Sequence, residues 1–587
     1  MKKNIYITLI LILTFYLFFG YVAFKIYNFD EIGLLSLIFL PRTFYDSFIL
    51  FLSYSIILNI LSRFKRVFNF AILLIFPLSI IYLLQFFSLY YTQNYITPEI
   101  LTEYNAINIY ITKENITIII VFLLISSSLY ILLKHINNRY KSGHILISTG
   151  FVLFTFLLSF GLYWSIQRAT SHIASSFIRP IGSPEVSFIR QFKSNRILVK
   201  PEFTNEELEY LQNNYSIKIS NSEYPYYKNN IDSSNTNISS NIQNVIIIFA
   251  ESLSSKFINS YGCKYDSLTP NIDSFAKESL LIKGYYNHTS PTYNGILGSL
   301  CSIYPQFSNI DYDKTNQTFK INSLISILNK KQYNSSIFCY ENKGYGLYRL
   351  MQKLEFKNLY FKQDLESKFN FKSDRRDYLR DKELFNSYIS LQNKGKKPTP
   401  FIDILMTIET HNNYALSDDV FKYPYKDEAL LHAIHNLDYN FGNFWNWFQS
   451  SEYYQNTIVV LTADHSFPSR VELTKLFDFK STDMALFDEI SLIIYIPENK
   501  HQILNVHTSS IDFAPTILDL LKINNIENNF LGKSIFIDNK SDKMIGTNGS
   551  SIYEKETGKT HIMTNDTILL KWGQLDRYLF QKNKVFK

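Results

Sequence analysis

Two runs of β-branched and aromatic residues each stop at an acid: Asn244-Val-Ile-Ile-Ile-Phe-Ala250 runs into Glu251, and Asn456-Thr-Ile-Val-Val-Leu-Thr-Ala463 runs into Asp464-His465. Near-continuous apolar runs of this length suit central strands of a parallel sheet covered on both faces. Open α/β sheets take their ligands beyond the carboxyl ends of the strands, so Glu251, Asp464 and His465 are expected to converge on one metal ion. Between the two runs lies Ser290-Pro-Thr292-Tyr-Asn-Gly295, followed by Ile-Leu-Gly-Ser-Leu, which predicts a hydroxyl on a turn that opens a helix. A hydroxyl at a helix N-terminus beside a divalent metal is a candidate nucleophile.

From Asn244 onward strands and helices alternate. Strands are predicted over Val245–Ala250, Tyr333–Tyr340, Phe401–Ile408, Thr457–Thr462 and Ser491–Ile496. A helix is predicted over Asp427–Ser450, where Leu430, Leu431, Ile434, Leu437, Phe441 and Phe444 keep a helical spacing. That order predicts a mostly parallel α/β sandwich over 244–587. Ahead of it, Thr204-Asn-Glu-Glu207 is a capping box opening a short helix. The Asn/Ser-rich stretch 221–241 has no period and reads as linker, so 169–243 is expected to be a connector.

The first third is too apolar for a soluble fold. Five stretches, Ile5–Phe24, Phe48–Leu61, Phe68–Tyr91, Ile116–Leu133 and Ile145–Trp164, approach or reach the ~20 residues needed to cross a bilayer. The second is the shortest. Lys2-Lys3 would suit a signal peptide, but no small-residue cleavage site follows and more apolar stretches do. Basic residues fall on alternate loops (Lys2 and Lys3, then Arg63, Lys65 and Arg66, then Lys134, Arg139 and Lys141), whereas Asp30, Glu31, Glu99, Glu103 and Glu114 occupy the loops between. By the positive-inside rule residues 1–168 are expected to be a five-span domain of the cytoplasmic membrane, with its N-terminus inside and everything after about Ser165 outside.

A net charge of +7 is accounted for by the loop lysines and arginines and scattered lysines, so no basic stripe suggests nucleic acid. Three cysteines, Cys263, Cys301 and Cys339, lie in the outer region and show no metal-site spacing; buried thiols and one bridge are both open. His432 and His435 stand three apart on the predicted helix, a possible ligand spacing, but their regular apolar face and the lack of a partner acid favour packing or surface roles. Taken singly, Glu251 could cap a helix, Asp464 could end a strand turn, Thr292 could be an ordinary N-cap and His411 a packed loop histidine.

The ordered set Glu251-Ser, Thr269-Pro270-Asn271-Ile-Asp273, Thr292-Tyr-Asn-Gly295, Thr410-His411-Asn-Asn-Tyr414, Asp464-His465-Ser and Ile511-Asp512-Phe-Ala-Pro515-Thr516, with Gly532-Lys533-Ser534, resembles the sulfatase and alkaline phosphatase superfamily. Within it, the likeness is to the membrane branch of lipoteichoic acid synthases and periplasmic-glucan phosphoglycerol transferases, and it covers about 245–540. The resemblance implies an extracytoplasmic sulfatase-like domain in which Glu251, Thr292, Asp464 and His465 bind one divalent cation (Mn²⁺, Mg²⁺ or Zn²⁺). It further implies that Thr292 is the nucleophile and that His411 contacts the transferred phosphate or donates a proton. Tyr345 and Arg349 stand where the synthases grip glycerol phosphate, although the His, Trp and Arg of those enzymes are not recognisable in Phe338-Cys-Tyr-Glu341-Asn-Lys-Gly344-Tyr345-Gly-Leu-Tyr348-Arg349. Leu300-Cys-Ser302-Ile303-Tyr-Pro305 is nearer to the glucan transferases.

The implied reaction moves a phospho-alcohol head group from a membrane phospholipid to an extracytoplasmic glycan or glycolipid, phosphatidylglycerol being the favoured donor. Phosphatidylethanolamine is the alternative donor, acting toward lipid A or a surface glycan. Phosphoethanolamine transferases carry several disulfides in the outer domain, which three cysteines cannot supply. A true sulfatase is disfavoured because the Cys- or Ser-x-Pro-x-Arg motif is absent at Thr292; a metal-dependent phosphodiesterase and a non-catalytic membrane scaffold are the remaining alternatives.

Overall fold

The structure, a computed structural model, describes residues 200–232, 242–289, 292–304, 322–343, 346–373, 378–411, 420–467 and 489–537 with few interruptions, four elements between 543 and 585, and short stretches within 61–83 and 120–135. The chain divides into two compact units, 1–197 and 198–587. In the first, a short helix covers Lys65–Ile72, with Phe68 and Ile72 buried. Ser126 donates a hydrogen bond to Ser79 at 2.9 Å, and Phe76 meets Tyr130 at 5.9 Å, so the described parts of the third and fourth apolar stretches touch. Among the described residues no helix is long and apolar enough to cross a membrane; the first, second and fifth expected spans lie almost wholly outside the described residues.

The second unit is built on an eight-stranded sheet. Its strands are β1 (Asn244–Ala250), β2 (Leu280–Tyr286), β3 (Asn334–Cys339), β4 (Asn358–Tyr360), β5 (Phe401–Met406), β6 (Thr457–Ala463), β7 (Leu492–Tyr495) and β8 (Gln502–Ser509), in the order β4-β3-β5-β1-β6-β7-β2-β8. The expected parallel α/β architecture is present, with each expected strand within two residues of its predicted ends. One direction differs: β7 runs antiparallel to both β6 and β2. Its four residues are buried throughout, and an all-apolar strand carries no mark of direction. β2, β4 and β8 were not expected from the sequence. β2 breaks its apolar run with Lys283-Gly284, where the pairing register shifts, and β8 exposes most of its first half.

Helices cover both faces. α1 (Asn205–Tyr215) opens with the expected capping box, Thr204 accepting from Glu207 N–H and Glu207 from Thr204 N–H. α2 (Pro270–Ala276), α3 (Thr292–Cys301), α4 (Gly346–Lys353), α5 (Asp381–Gln392), α6 (Ala429–Gln449) and α7 (Phe513–Leu520) follow the strands. α6 spans nearly the predicted stretch and buries Leu430, Leu431, Ile434, Leu437, Phe441 and Phe444. His432 and His435 are both packed, as favoured, and are buried rather than on the surface. His432 has a partner acid that the sequence did not place: its Nε2 lies 2.9 Å from Asp427, while its Nδ1 accepts Tyr423 N–H. His435 faces the Leu268 carbonyl. The three cysteines are free thiols, two of them buried.

At the C-terminus a three-stranded antiparallel sheet, β9 (Lys543–Asn548), β10 (Ser551–Glu556) and β11 (Lys559–His561), leads to α8 (Thr567–Gln581). There Asp576 accepts from the Tyr226 hydroxyl at 2.9 Å, and that hydroxyl accepts from Trp572 Nε1–H at 3.1 Å. Burial pushes the Asp576 carboxyl up to about 7. A carboxyl raised on folding contributes stability that is complete below its unfolded value and lost as pH rises through the folded one. Urea unfolding should therefore show stability falling between about pH 4 and 7, and Asp576→Asn should flatten that fall; an unchanged slope in the variant would count against the assignment.

Candidate metal centre and nucleophile

β1 and β6 are neighbours with Ala250 opposite Ala463, so the next residue on each, Glu251 and Asp464, emerges side by side at the carboxyl end of the sheet. Adjacent strands lie about 4.8 Å apart, which puts the two carboxylates within one coordination sphere by backbone register alone. Both are buried, as is His465. One ligand atom from each of Glu251, Asp464 and His465 falls within 4.8 Å of the others. His465 Nε2 lies 3.4 Å from Asp464 Oδ2 and 3.6 Å from Glu251 Oε1.

Thr292, the first residue of α3, completes the group. Its hydroxyl donates to Glu251 Oε2 at 3.2 Å and lies 3.2 Å from His465 Nε2. The other ring nitrogen, Nδ1, is 2.7 Å from the Ser466 carbonyl. A carbonyl only accepts, so Nδ1 carries the proton and Nε2 presents a lone pair to the centre, the tautomer a metal requires.

The donor set fits a divalent cation. Burial and the Asp464 carboxylate push Glu251 well above the ordinary carboxylate range, which is what two acids crowded in a dry site do when no positive charge lies between them. Asp464 Oδ2 is buried and accepts no hydrogen bond, and such an atom costs free energy unless something pairs with it. Two carboxylate oxygens and one imidazole are a mixed donor set that suits Mn²⁺, Mg²⁺ or Zn²⁺.

Residues that the sequence reading did not single out hold these groups. Ser252 adopts φ 56°, a left-handed conformation uncommon outside glycine. It thereby donates N–H to Asp464 Oδ1 at 3.0 Å and its hydroxyl to Glu251 Oε1 at 2.8 Å. From the loop after β5, Thr407 accepts Glu251 N–H at 3.1 Å and Thr410 donates to the Glu251 carbonyl at 2.5 Å. That loop is tied in turn to α5, where Asp381 accepts from Ile408 N–H and Glu409 accepts from Asp381 N–H. Small polar residues after strands were the one sequence signal for Ser252, Thr407 and Thr410.

The remaining candidates are not among these ligands. His411 follows Thr410, is exposed, and lies outside the metal-capable cluster. Arg349 sits half-buried on α4, while Tyr345 lies outside the described residues. Where the sequence placed this pair, the structure adds Glu341, which caps α4 by accepting Leu347 N–H at 3.1 Å and which burial pushes up to about 8. Tyr340 beside it is buried, and the Glu251, Glu341 and Asp464 carboxylates add to burial in raising its phenol.

Gly295 explains the Thr-x-x-Gly spacing. A Cβ there would lie 2.1 Å from the Asp464 carbonyl oxygen, so α3 packs directly on the backbone of the metal-centre strand exit. Three residues on, a Cβ at Gly298 would meet the buried His288 ring at 2.0 Å. The far end of α3 is pinned by Ser302, which donates to the Ile511 carbonyl at 2.6 Å and accepts Gly532 N–H at 2.9 Å. Gly295→Ala should destabilise the protein by about 1–3 kcal/mol, the usual scale of overpacking. Chemical denaturation measures this directly, and a stability equal to wild type would mean that the helix does not pack this closely.

Residues 243–523 match the Sulfatase family. Lipoteichoic acid synthase 2 of Bacillus subtilis (strain 168) is 23% identical over 342 residues, 54% of this chain and 51% of that protein. The chain thus spans about half the length of the curated relative it matches. Among solved structures, a protein of the alkaline phosphatase superfamily from Vibrio parahaemolyticus aligns with a TM-score of 0.52 at 16% identity, covering 66% of this chain and 98% of that one. The lipoteichoic acid synthase LtaP from Listeria monocytogenes aligns with a TM-score of 0.44 at 16% identity, covering 60% of this chain and 96% of that one. Residues 243–523 thus make up a sulfatase/alkaline phosphatase-like domain.

Proposed function

We propose that the chain is a metal-dependent phosphotransferase that carries a phospho-alcohol head group, phosphoglycerol in the favoured case, from a membrane phospholipid through Thr292 to an extracytoplasmic glycan. The observation that carries this reading is the Thr292 hydroxyl, held at 3.2 Å from both Glu251 and His465 at the mouth of a buried pair of carboxylates. The likeness to a lipoteichoic acid synthase supports head-group transfer over sulfate hydrolysis. The free state of all three cysteines supports the phosphoglycerol reading over the disulfide-bearing phosphoethanolamine enzymes.

Glu251, Asp464, His465 and Thr292 would hold a divalent cation. When bound, it supplies a Lewis acid that lowers the pKa of a hydroxyl and offsets charge on phosphoryl oxygens. Ser252 fixes one oxygen of each carboxylate, so the set is oriented before any ligand arrives. The Thr292 proton leaves along its hydrogen bond to Glu251 while Oγ attacks phosphorus, and the ester bond to diacylglycerol breaks. His411 is the candidate to protonate the departing alkoxide, a task suited to a group that titrates near neutral pH. An acceptor alcohol then attacks the Thr292 phosphodiester and gives its proton to His411, while the Thr292 oxygen leaves and regains its proton from Glu251.

A lipid donor requires the domain to sit outside the cytoplasmic membrane, as the alternation of basic and acidic loops across residues 1–168 implies. A reporter active only in the periplasm and fused after Asn241 should give signal; signal from a cytoplasm-active reporter alone would reverse the topology.

Incubating the purified full chain with phosphatidylglycerol or phosphatidylethanolamine and reading the mass added to Thr292 names the head group. Thr292→Ala should take up no mass and turn over no donor, because nothing else there can form the covalent intermediate. His411→Ala should keep metal binding and slow turnover by about 10²- to 10⁴-fold, the scale of a lost general acid. Full transfer by Thr292→Ala would exclude the covalent route. Donor consumption with no acceptor modified would make the protein a phosphodiesterase.

A further inference from the structure

Two buried acids lock the first residue of α5 to the turn that follows β5, and the lock is reciprocal. Asp381 Oδ1 accepts Ile408 N–H at 2.8 Å and Glu409 N–H at 3.3 Å, while Glu409 Oε2 accepts Asp381 N–H at 3.1 Å. Both residues are buried. Arg380 Nε–H reaches Glu409 Oε1 at 3.4 Å, and Asn436 of α6 donates to Glu409 Oε2 at 3.1 Å.

The turn closes on His411. Its N–H donates to the Ile408 carbonyl at 2.7 Å, so Ile408 is held by Asp381 on its nitrogen and by His411 on its oxygen. The metal-centre side of the same turn is fastened separately, Thr407 accepting Glu251 N–H and Thr410 donating to the Glu251 carbonyl. Glu251 also follows a strand that is paired on both sides, with β5 and with β6. Its place therefore does not depend on Asp381 alone.

The anchor is fixed at its own root. Leu379 N–H donates to the Tyr340 carbonyl at 2.8 Å, and Tyr378 bridges Glu341, so the entry to α5 pairs with the chain that leaves β3. Glu341 in turn caps α4, which carries Arg349. Residues 378–381 thus join the end of β3 to the turn that ends in His411. Asp381 Oδ2 is buried and has no hydrogen-bond partner among the described residues. Burial and the Glu409 charge push this carboxyl well above the ordinary range, which makes Oδ1 the carbonyl oxygen of a neutral acid, free to accept both backbone N–H groups.

We infer that Asp381 is a positioning residue: it holds the turn 408–411 in one conformation and so sets where His411 stands relative to Thr292. The inference rests on the reading of His411 as proton donor and deepens it. A general acid works only within hydrogen-bond reach of the leaving oxygen. His411 is exposed at the end of its turn, and the bonds through Ile408 tie its backbone to a buried anchor.

The test compares Asp381→Ala, which removes the acceptor, with Asp381→Asn, whose amide oxygen takes the place of Oδ1. Hydrogen–deuterium exchange on the full chain should show the 407–411 peptide exchanging about tenfold faster or more in Asp381→Ala, the local opening expected of lost backbone bonds. Exchange in β1 should be unchanged, and Asp381→Asn should restore protection. If β1 also loosens, Asp381→Leu, which keeps the side-chain volume, is the variant to read. Turnover is then measured on two diesters. Phosphatidylglycerol releases an alkoxide that needs a proton, whereas bis(p-nitrophenyl) phosphate releases a phenolate that leaves without one. Asp381→Ala should slow the first by about 10- to 100-fold, part of the effect of losing the acid outright, and the second by no more than a few-fold. Most of the loss should be regained in Asp381→Asn. In a His411→Ala background Asp381→Ala should cost nothing further, because residues that act through one group are not additive. A turn as protected in Asp381→Ala as in wild type would overturn the inference, as would an equal loss on both diesters. The two failures are separable. A freed turn with wild-type phosphatidylglycerol turnover by His411→Ala removes the acid reading alone, and a protected turn with a slowed His411→Ala removes the positioning role alone.

Discussion

The candidate site at the carboxyl end of the sheet answers to one electrostatic conflict: two carboxylates, Glu251 and Asp464, are delivered side by side into a buried position by the register of β1 and β6. Strand pairing leaves them no choice of separation. Like charges in a dry site raise each other's free energy, and Glu251 responds by being pushed well above its ordinary range. The surrounding bonds relieve only part of this. Ser252 gives one donor to each acid, Thr292 gives another to Glu251, and Asp464 Oδ2 is left with none. A divalent cation between the two acids would offset this charge and pair with Asp464 Oδ2.

Thr292, the candidate nucleophile, is placed by a different kind of force. α3 brings Thr292 to the acids by packing, and its depth is set by how nearly two backbones can approach. Gly295 against the Asp464 carbonyl and Gly298 against the His288 ring leave no room for a methyl group. Attraction alone would not fix the hydroxyl to a fraction of an ångström, whereas hard contact does. The loop after β5 works the same problem from the other side, with Thr407 and Thr410 gripping the Glu251 backbone.

Much of this was legible in the sequence wherever a position is dictated by chain geometry that repeats. Glu251 and Asp464 could be read because a buried parallel strand announces itself by composition and its end is where ligands gather. Thr292 and α6 followed from helix-start chemistry and period. What could not be read depends on partners far apart in the chain. Ser252 is one residue from Glu251 but matters through Asp464, and Thr407 acts across a strand pair that only folding brings together. The direction of β7 was hidden because four buried apolar residues look alike in either sense. β2 and β8 were hidden because a lysine, a glycine and a wet edge erase the alternation. His432 gave the opposite lesson: Asp427 stands only five residues before it, and the two meet across the entrance to α6.

The anchoring of α3 at its far end ties the chemistry to the order in which the chain is made. Ser302 is held by Ile511 and Gly532, residues more than two hundred positions downstream. While the polypeptide is still emerging from the ribosome, both acids and the histidine can be present without the clamp that seats the threonine helix. The clamp on the end of α3 therefore comes late in the chain, after both acids and the histidine have been made.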